Sequence, residues 1–421
     1  MDIILKSVRI INPGTAHHQK TRDIVIVNGK IKSITTNASN DDGIKELDLK
    51  GCFVMPGWFD MRVNFREPGE EHKEDLFSGT KAAAAGGFTE VLLMPSTYYP
   101  IQSKSDTEFI QNKCRNSLVN VHVAGCLTVD RKGIDMAELY EMYVSGAIAF
   151  TDDKKTNDPG LLVRALQYCN TFGARIISYA DEPTLSNNYL INESLSSVKT
   201  GMKGCPAVAE EIGLNRIIRI AEYTGIPVHI SGISTAESVV QIRNAKSKGI
   251  KITTEVYAHH LMLDETLVES FNSKFKVKPV LRSKADIQAL KKGIADGVID
   301  CISSDHSPQD IEVKNCEYAY AAHGISSIET TFATLSTAFK GQLDAEILFN
   351  IFSGNPRKIL NLDTPFINEG EAANMTVYHP DKAWIFSEKE MFSKSRNTPF
   401  QGTEFSGKVV GVINNNKLSG F

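Results

Sequence analysis

The chain has 421 residues, of which 42% are hydrophobic and 23% charged, and its formal net charge is −4. That length supports one large α/β barrel with an appendage, or two to three ordinary domains. Lys and Arg are scattered among Asp and Glu with no long basic block, which argues against nucleic acid as a partner and leaves a small molecule or another protein.

Residues 1–55 alternate apolar and polar positions in short runs at 3–11, 23–27, 30–34 and 45–49. Gly14 and Asn28-Gly29 punctuate them, which predicts a small antiparallel β unit. From 56 to 365 the pattern becomes strand, loop and helix, repeated. Strands are expected at 58–65, 90–94, 119–123, 147–150, 175–179, 227–231, 251–256 and 298–303, and helices at, among others, 160–172 and 215–225. Eight such units point to a (β/α)8 TIM barrel more economically than to an open sheet. Strand signals return at 375–378 and 408–413, so 366–421 is expected to join 1–55 in a composite β-sandwich beside the barrel at 56–365.

No run of about 18 apolar residues occurs, and the start at Met1 has no charged-then-apolar leader, which predicts a cytoplasmic protein that does not cross a membrane. The seven cysteines are odd in number and never form Cys-x-x-Cys, so they are expected to be reduced and buried.

The first barrel strand carries the chemistry. With side chains alternating at period two, Asp60, Arg62 and Asn64 are expected to share one face; Arg66 and the Pro68-Gly69 turn follow. A polar triplet on a strand that leads into a turn and a small-residue helix predicts a strand end opening into a site. The alternative is a half-exposed edge strand.

Residues 56–69, Pro-Gly-Trp-Phe-Asp-Met-Arg-Val-Asn-Phe-Arg-Glu-Pro-Gly, resemble the first strand of the dihydroorotases and related cyclic amidohydrolases, whose pattern carries Asp-x-His-x-His. Gly86-Gly87-Phe88-Thr89, Ser234-Thr235, the run Gly354 to Leu360 and the run Asn397 to Gly402 resemble that family closely, and the resemblance covers essentially the full length. It implies a metal-dependent hydrolase barrel with a composite β domain. It also implies zinc held by histidines and an aspartate, the metal polarising a ring amide and activating water. Here the four histidine positions are Arg62, Asn64, Ser178 and Gly232; Asp153 and Asp305 remain at the positions of the family's acidic ligands, Asp305 also at that of its proton shuttle. A guanidinium offers no lone pair, so no metal is expected; Asp152 or Asp153 is instead a partner for Arg62 or Lys154. Arg66 corresponds to the arginine that holds the substrate carboxylate. Lys278 stands where a substrate-binding asparagine would be, His259-His260 resemble a Pro-His-His element with Ala258 for proline, and His323 lies in the substrate-loop position.

Three readings follow. The first is a non-catalytic dihydroorotase homologue of pyrimidine biosynthesis, because some ligand-less members of the family are partners of aspartate transcarbamoylase. The second is an active dihydroorotase or related cyclic amidohydrolase with one atypical zinc held by Asp153, Asp305 and one of His259, His260 or His306. The third is a module binding a small carboxylate or other anion through Arg62, Arg66 and Lys278, with Asn64, His259 and His323 around it. By analogy with the family, a homodimer is expected.

Overall fold

The computed structural model describes residues 1–40 and 43–421. Eight parallel strands follow one another around a barrel: Trp58–Val63, Phe88–Leu93, Asn120–Gly125, Ala147–Phe150, Arg175–Tyr179, Val228–Ser231, Ile252–Tyr257 and Cys301–Ser303. Each lies within about two residues of the segment its sequence pattern predicts, although the eighth is shorter. The ring closes where strand eight meets strand one: Val63 bridges His306, and Asn64 N donates to His306 O at 2.8 Å. Phe59, Met61, Leu92, Ala124, Ala149, Ile177 and Cys301 form an apolar cluster drawn from six strands, so the barrel is filled with side chains and has no pore.

Strand one is buried along its whole length, which excludes the edge-strand alternative. Its register against strand two shifts between Asp60 and Val63, three residues opposing two. This bulge breaks the expected shared face of Asp60, Arg62 and Asn64. The Asp60 carboxylate sits in the seam with strand eight, accepting from Ser304 N and Arg62 N at 3.1 Å each, while Arg62 and Asn64 reach the mouth.

Both chain ends contribute to one mixed sheet, ordered Lys30–Thr35, Thr21–Val27, Ile3–Ile10, Phe53–Pro56, Met375–Ile385, Glu404–Asn414 and Lys417–Gly420. Lys45–Asp48 also pairs with Ile3–Ile10. The strands of the expected sandwich are therefore hydrogen-bonded into a single continuous sheet, which encloses its own core of Ile3, Leu5, Ile26, Val54, Met375 and Ile413. The link is Phe53–Pro56, parallel to one neighbour and antiparallel to the other, a four-residue strand too short to show alternation in the sequence. The Asn28-Gly29 hairpin forms as its sequence demands, both residues taking positive φ (51° and 72°).

An aromatic joint fixes barrel to sheet. Trp58 stacks on Phe352 at 5.1 Å and meets Phe332 and Tyr378, the last from the mixed sheet. Gly87, at φ +93°, lets Trp58 approach, since a Cβ there would lie 2.7 Å from the indole. Below the barrel, Arg357 donates to Glu90 Oε1 at 2.7 Å and to Ser353 O and Oγ, which ties the last helix to strand two. Between its two long strands the tail leaves the sheet and crosses to the loops after strand eight, where Asn397 Nδ2 donates to Gly324 O at 2.8 Å. Among the described residues no helix is long and apolar enough to cross a membrane.

Candidate functional site at the barrel mouth

The C-terminal strand ends gather a compact ionic cluster in which Arg62, Asp153 and Asp305 are buried and Lys154 is half-buried. Arg62, with no exposed surface, donates from Nε to Asp305 Oδ1 at 3.1 Å and from Nη1 to Ser231 Oγ at 2.9 Å, and its Nη2 lies against Asp153 Oδ1. Lys154 Nζ takes the other oxygen of Asp305 at 2.7 Å. Both cations flank the ring of Tyr257, at 5.4 Å and 5.1 Å from its centroid. Two cations and two carboxylates make the cluster neutral, which is what permits its burial.

Local backbone geometry aims these groups. Arg66, Asp153 and Asp305 all hold left-handed φ (63°, 60° and 51°), a conformation costing on the order of 1–3 kcal/mol for a residue with a side chain. Asp152 turns the other way: it accepts from Leu127 N, Thr128 N, Thr128 Oγ1 and Asn157 Nδ2, and so clamps a loop. Asn64 Oδ1 accepts from Ser96 Oγ at 2.7 Å, and Ser96 also contacts Asp153. Ser178 is buried at the end of strand five. Gly232, which the family resemblance sets at a histidine position, adopts φ +67°, and a Cβ there would fall 2.4 Å from Cζ and Oη of Tyr257. The tyrosine fills the space a side chain at 232 would need.

The remaining residues flagged in the sequence lie around this cluster. Arg66 Nε donates to Pro308 O at 2.9 Å and Nη2 to Ser307 Oγ at 2.7 Å, with Nη1 3.7 Å from Glu70. Lys278 lies over Tyr179 and Tyr189 and 3.6 Å from Asp181. His260 Nε2 is 3.2 Å from Pro279 O, while neither ring nitrogen of the buried His259 has a hydrogen-bond partner among the described residues. His306 faces away from the mouth: its Nδ1 accepts from Ser327 N at 3.2 Å and its Nε2 lies 3.5 Å from Glu74. The set of Asp153, Asp305 and one of these histidines is not gathered as a ligand trio. Among the described residues, the one group of three His, Cys, Asp or Glu side chains with ligand atoms all within 4.8 Å of each other is His229, Glu255 and Cys301, inside the barrel.

Comparison with known proteins decides the family. A dihydro-orotase-like family model matches residues 51–238. Dihydroorotase from Citrifermentans bemidjiense is 37% identical over 416 residues, covering 98% of both chains; that of Carboxydothermus hydrogenoformans is 38% identical over 417 residues, covering 98% of this chain and 96% of its own. The chain belongs to the dihydroorotase family. Solved structures agree on the fold. The L-hydantoinase (dihydropyrimidinase) of Arthrobacter aurescens superposes with a TM-score of 0.86 at 21% identity, over 100% of this chain and 96% of that one. A dihydropyrimidinase from Brevibacillus agri gives 0.84 at 19% identity, over 100% and 95%.

Within this dihydroorotase-family mouth, electrostatics follow burial. Burial, only partly offset by Asp305, lowers the Lys154 ammonium to about 8. Burial and then Lys154 lower His259 to about 3; burial and then the surrounding lysines Lys276, Lys154, Lys278 and Lys314 do the same to His323. Both imidazoles are therefore neutral at pH 7. Asp60, buried in the seam, rises to about 7 despite its hydrogen bonds from Ser304 and Arg62. Tyr257, Ser231 and Ser96 belong to the cluster, yet motif matching passes over them. Strand seven did carry a signal, because Thr253, Glu255 and Tyr257 alternate on one face.

Proposed function

We propose that this chain is a non-catalytic dihydroorotase homologue of pyrimidine biosynthesis that acts as a structural partner of aspartate transcarbamoylase, itself assembling as a homodimer. The observation that carries the reading is Arg62, whose guanidinium engages Asp153 and Asp305 together. The residues present do not fit a binuclear zinc centre. Arg62 has no lone pair and occupies the two carboxylates that would hold metal, Tyr257 fills the space over Gly232, and His306 points elsewhere. Without a metal to polarise an amide and activate water, nothing else in the cluster supplies both functions: Asp305 is already committed to two cations. An anion-binding module is less well supported, because Arg66 and Lys278 spend their charge on internal partners.

The test pairs a turnover assay on dihydroorotate, with zinc, manganese or cobalt supplied, with co-elution alongside the aspartate transcarbamoylase of the same organism. The expected result is no turnover above background and a stable joint complex. Turnover that disappears in Asp305→Asn would overturn the reading, as would failure to co-elute.

A further inference from the structure

Beneath the mouth, strands six, seven and eight carry His229, Glu255 and Cys301 into the barrel interior, none of which the Arg62 cluster uses as an ion-pair partner. His229 lies beside Thr253 in the strand pairing, and Glu255 beside Cys301. Each of the first two side chains has one polar atom held by a neighbour and presents the other. His229 Nδ1 meets Thr253 Oγ1 at 3.0 Å, leaving Nε2; Glu255 Oε1 accepts from Ser231 Oγ at 2.5 Å, leaving Oε2. The two presented atoms face each other at 3.9 Å, and neither has a hydrogen-bond partner among the described residues. Metal ligands are held in this way, an outer hydrogen bond fixing the ring or carboxylate while the inner atom waits.

We propose that His229 Nε2, Glu255 Oε2 and Cys301 Sγ form a binding site for a single divalent transition-metal ion of the zinc class, within the barrel and separate from the mouth. Zinc bonds of roughly 2.0–2.3 Å at tetrahedral angles place ligand atoms about 3.3–3.7 Å apart. The 3.9 Å between nitrogen and oxygen therefore needs only a few tenths of an ångström of closure. One carboxylate and one thiolate neutralise a doubly charged ion, so the loaded site is uncharged where charge is most costly. Met61 Sδ, 3.5 Å from Cys301 Sγ, adds a soft neighbour on the thiolate side. Of the three, His229 also lines a cavity of about 180 Å³ with Thr253, Asp300, Asn355 and Lys358 at the end of the barrel opposite the mouth. On loading, the Cys301 S–H bond breaks, its proton passes to buffer and a sulfur–metal bond forms; no electron is transferred.

Titration of the full chain with cobalt(II) tests the site. One equivalent is expected to bind, with a thiolate-to-cobalt charge-transfer band, release of a proton and a rise in Tm. Cys301→Ser should abolish the band, and His229→Gln should weaken binding at least tenfold. Asp305→Asn, at the mouth, should leave both unchanged. Circular dichroism identifies any variant that has merely unfolded, and the wild-type band and proton release then stand alone as the readout. No saturable binding, or a band that persists in Cys301→Ser, means that His229 and Glu255 form a metal-free pair and overturns the proposal. A band lost in Asp305→Asn overturns it too, by placing the metal at the mouth. Dihydroorotate turnover bears on the proposed function alone, so the two ideas fail separately.

Discussion

Each end of the barrel buries a guanidinium, and the two are built on opposite plans. At the floor, Arg357 meets a single carboxylate, Glu90 of strand two, which His122 of strand three and Asn374 beside the mixed sheet also hold. At the mouth, Arg62 is divided between Asp153 from strand four and Asp305 from strand eight, with Lys154 and Tyr257 pressed around it. The floor pair has redundant support. The mouth cluster does not, since removing its central cation leaves a carboxylate without any charge partner. A buried ion pair therefore reveals its role less by its own geometry than by what remains when one member is taken away.

The sharpest way to break the comparison is to delete each arginine. Arg62→Ala should cost about 3–5 kcal/mol in denaturant unfolding, because Asp153 is left buried and unpaired. Arg357→Ala should cost about 1.5–3 kcal/mol, since Glu90 keeps His122 and Asn374. Equal losses would show that the mouth carries redundancy of its own.

The pH response separates the ends next. Burial acts to raise the Glu90 carboxyl, but the His122 and Arg357 contacts overcome it and hold the group at about 2, below its ordinary 4.5. Stability from Glu90 is thus fully present above pH 4.5 and is lost as pH falls toward 2. Lys154, at about 8 against an ordinary 10.5, gives its proton up more readily when folded. Between pH 8 and 10.5 the unfolded chain binds more protons, so stability should rise with pH there, by about 3 kcal/mol. Comparison of wild type with Lys154→Gln across that window checks the sign: the difference should move toward wild type as pH increases.

The smallest effect tests the space above Gly232. Gly232→Ala should lose about 1–3 kcal/mol from positive φ and the clash with Tyr257. Tyr257→Ala in the same chain should recover part of that loss, measured as a double-mutant cycle. Additive losses would mean the tyrosine is free to move aside, leaving positive φ as the whole cost of a side chain at 232.

The eight barrel strands were legible because runs of Val, Ile and Leu bounded by Gly, Pro and Asn repeat with helices between them. That both chain ends carry β structure was legible from alternation at both termini, but the sequence pointed to a sandwich where the strands form one continuous mixed sheet. Phe53–Pro56, which joins those ends, was not legible: four residues closing on proline carry no period. The bulge between Asp60 and Val63 was equally hidden, since an extra residue in one strand leaves no mark on composition. At the mouth, Arg62, Asn64, Ser178 and Gly232 stood out in the sequence only through the resemblance to the family pattern. That Arg62 would choose Asp153 and Asp305 while Asp152 turned to a loop depends on left-handed backbone at the ends of strands four and eight, on opposite sides of the barrel, a tertiary fact.

The short strand at Phe53–Pro56 also sets a timetable. Its antiparallel neighbour begins at Met375, about 320 residues later, so during translation the strands before it remain unpaired on that edge while the whole barrel is made. At about 5–20 residues per second the wait is roughly 16–65 s. Through that interval an apolar β edge is exposed beside the ribosome, and the nascent chain needs a chaperone, or a fast-folding barrel, to shield it until the last strands emerge.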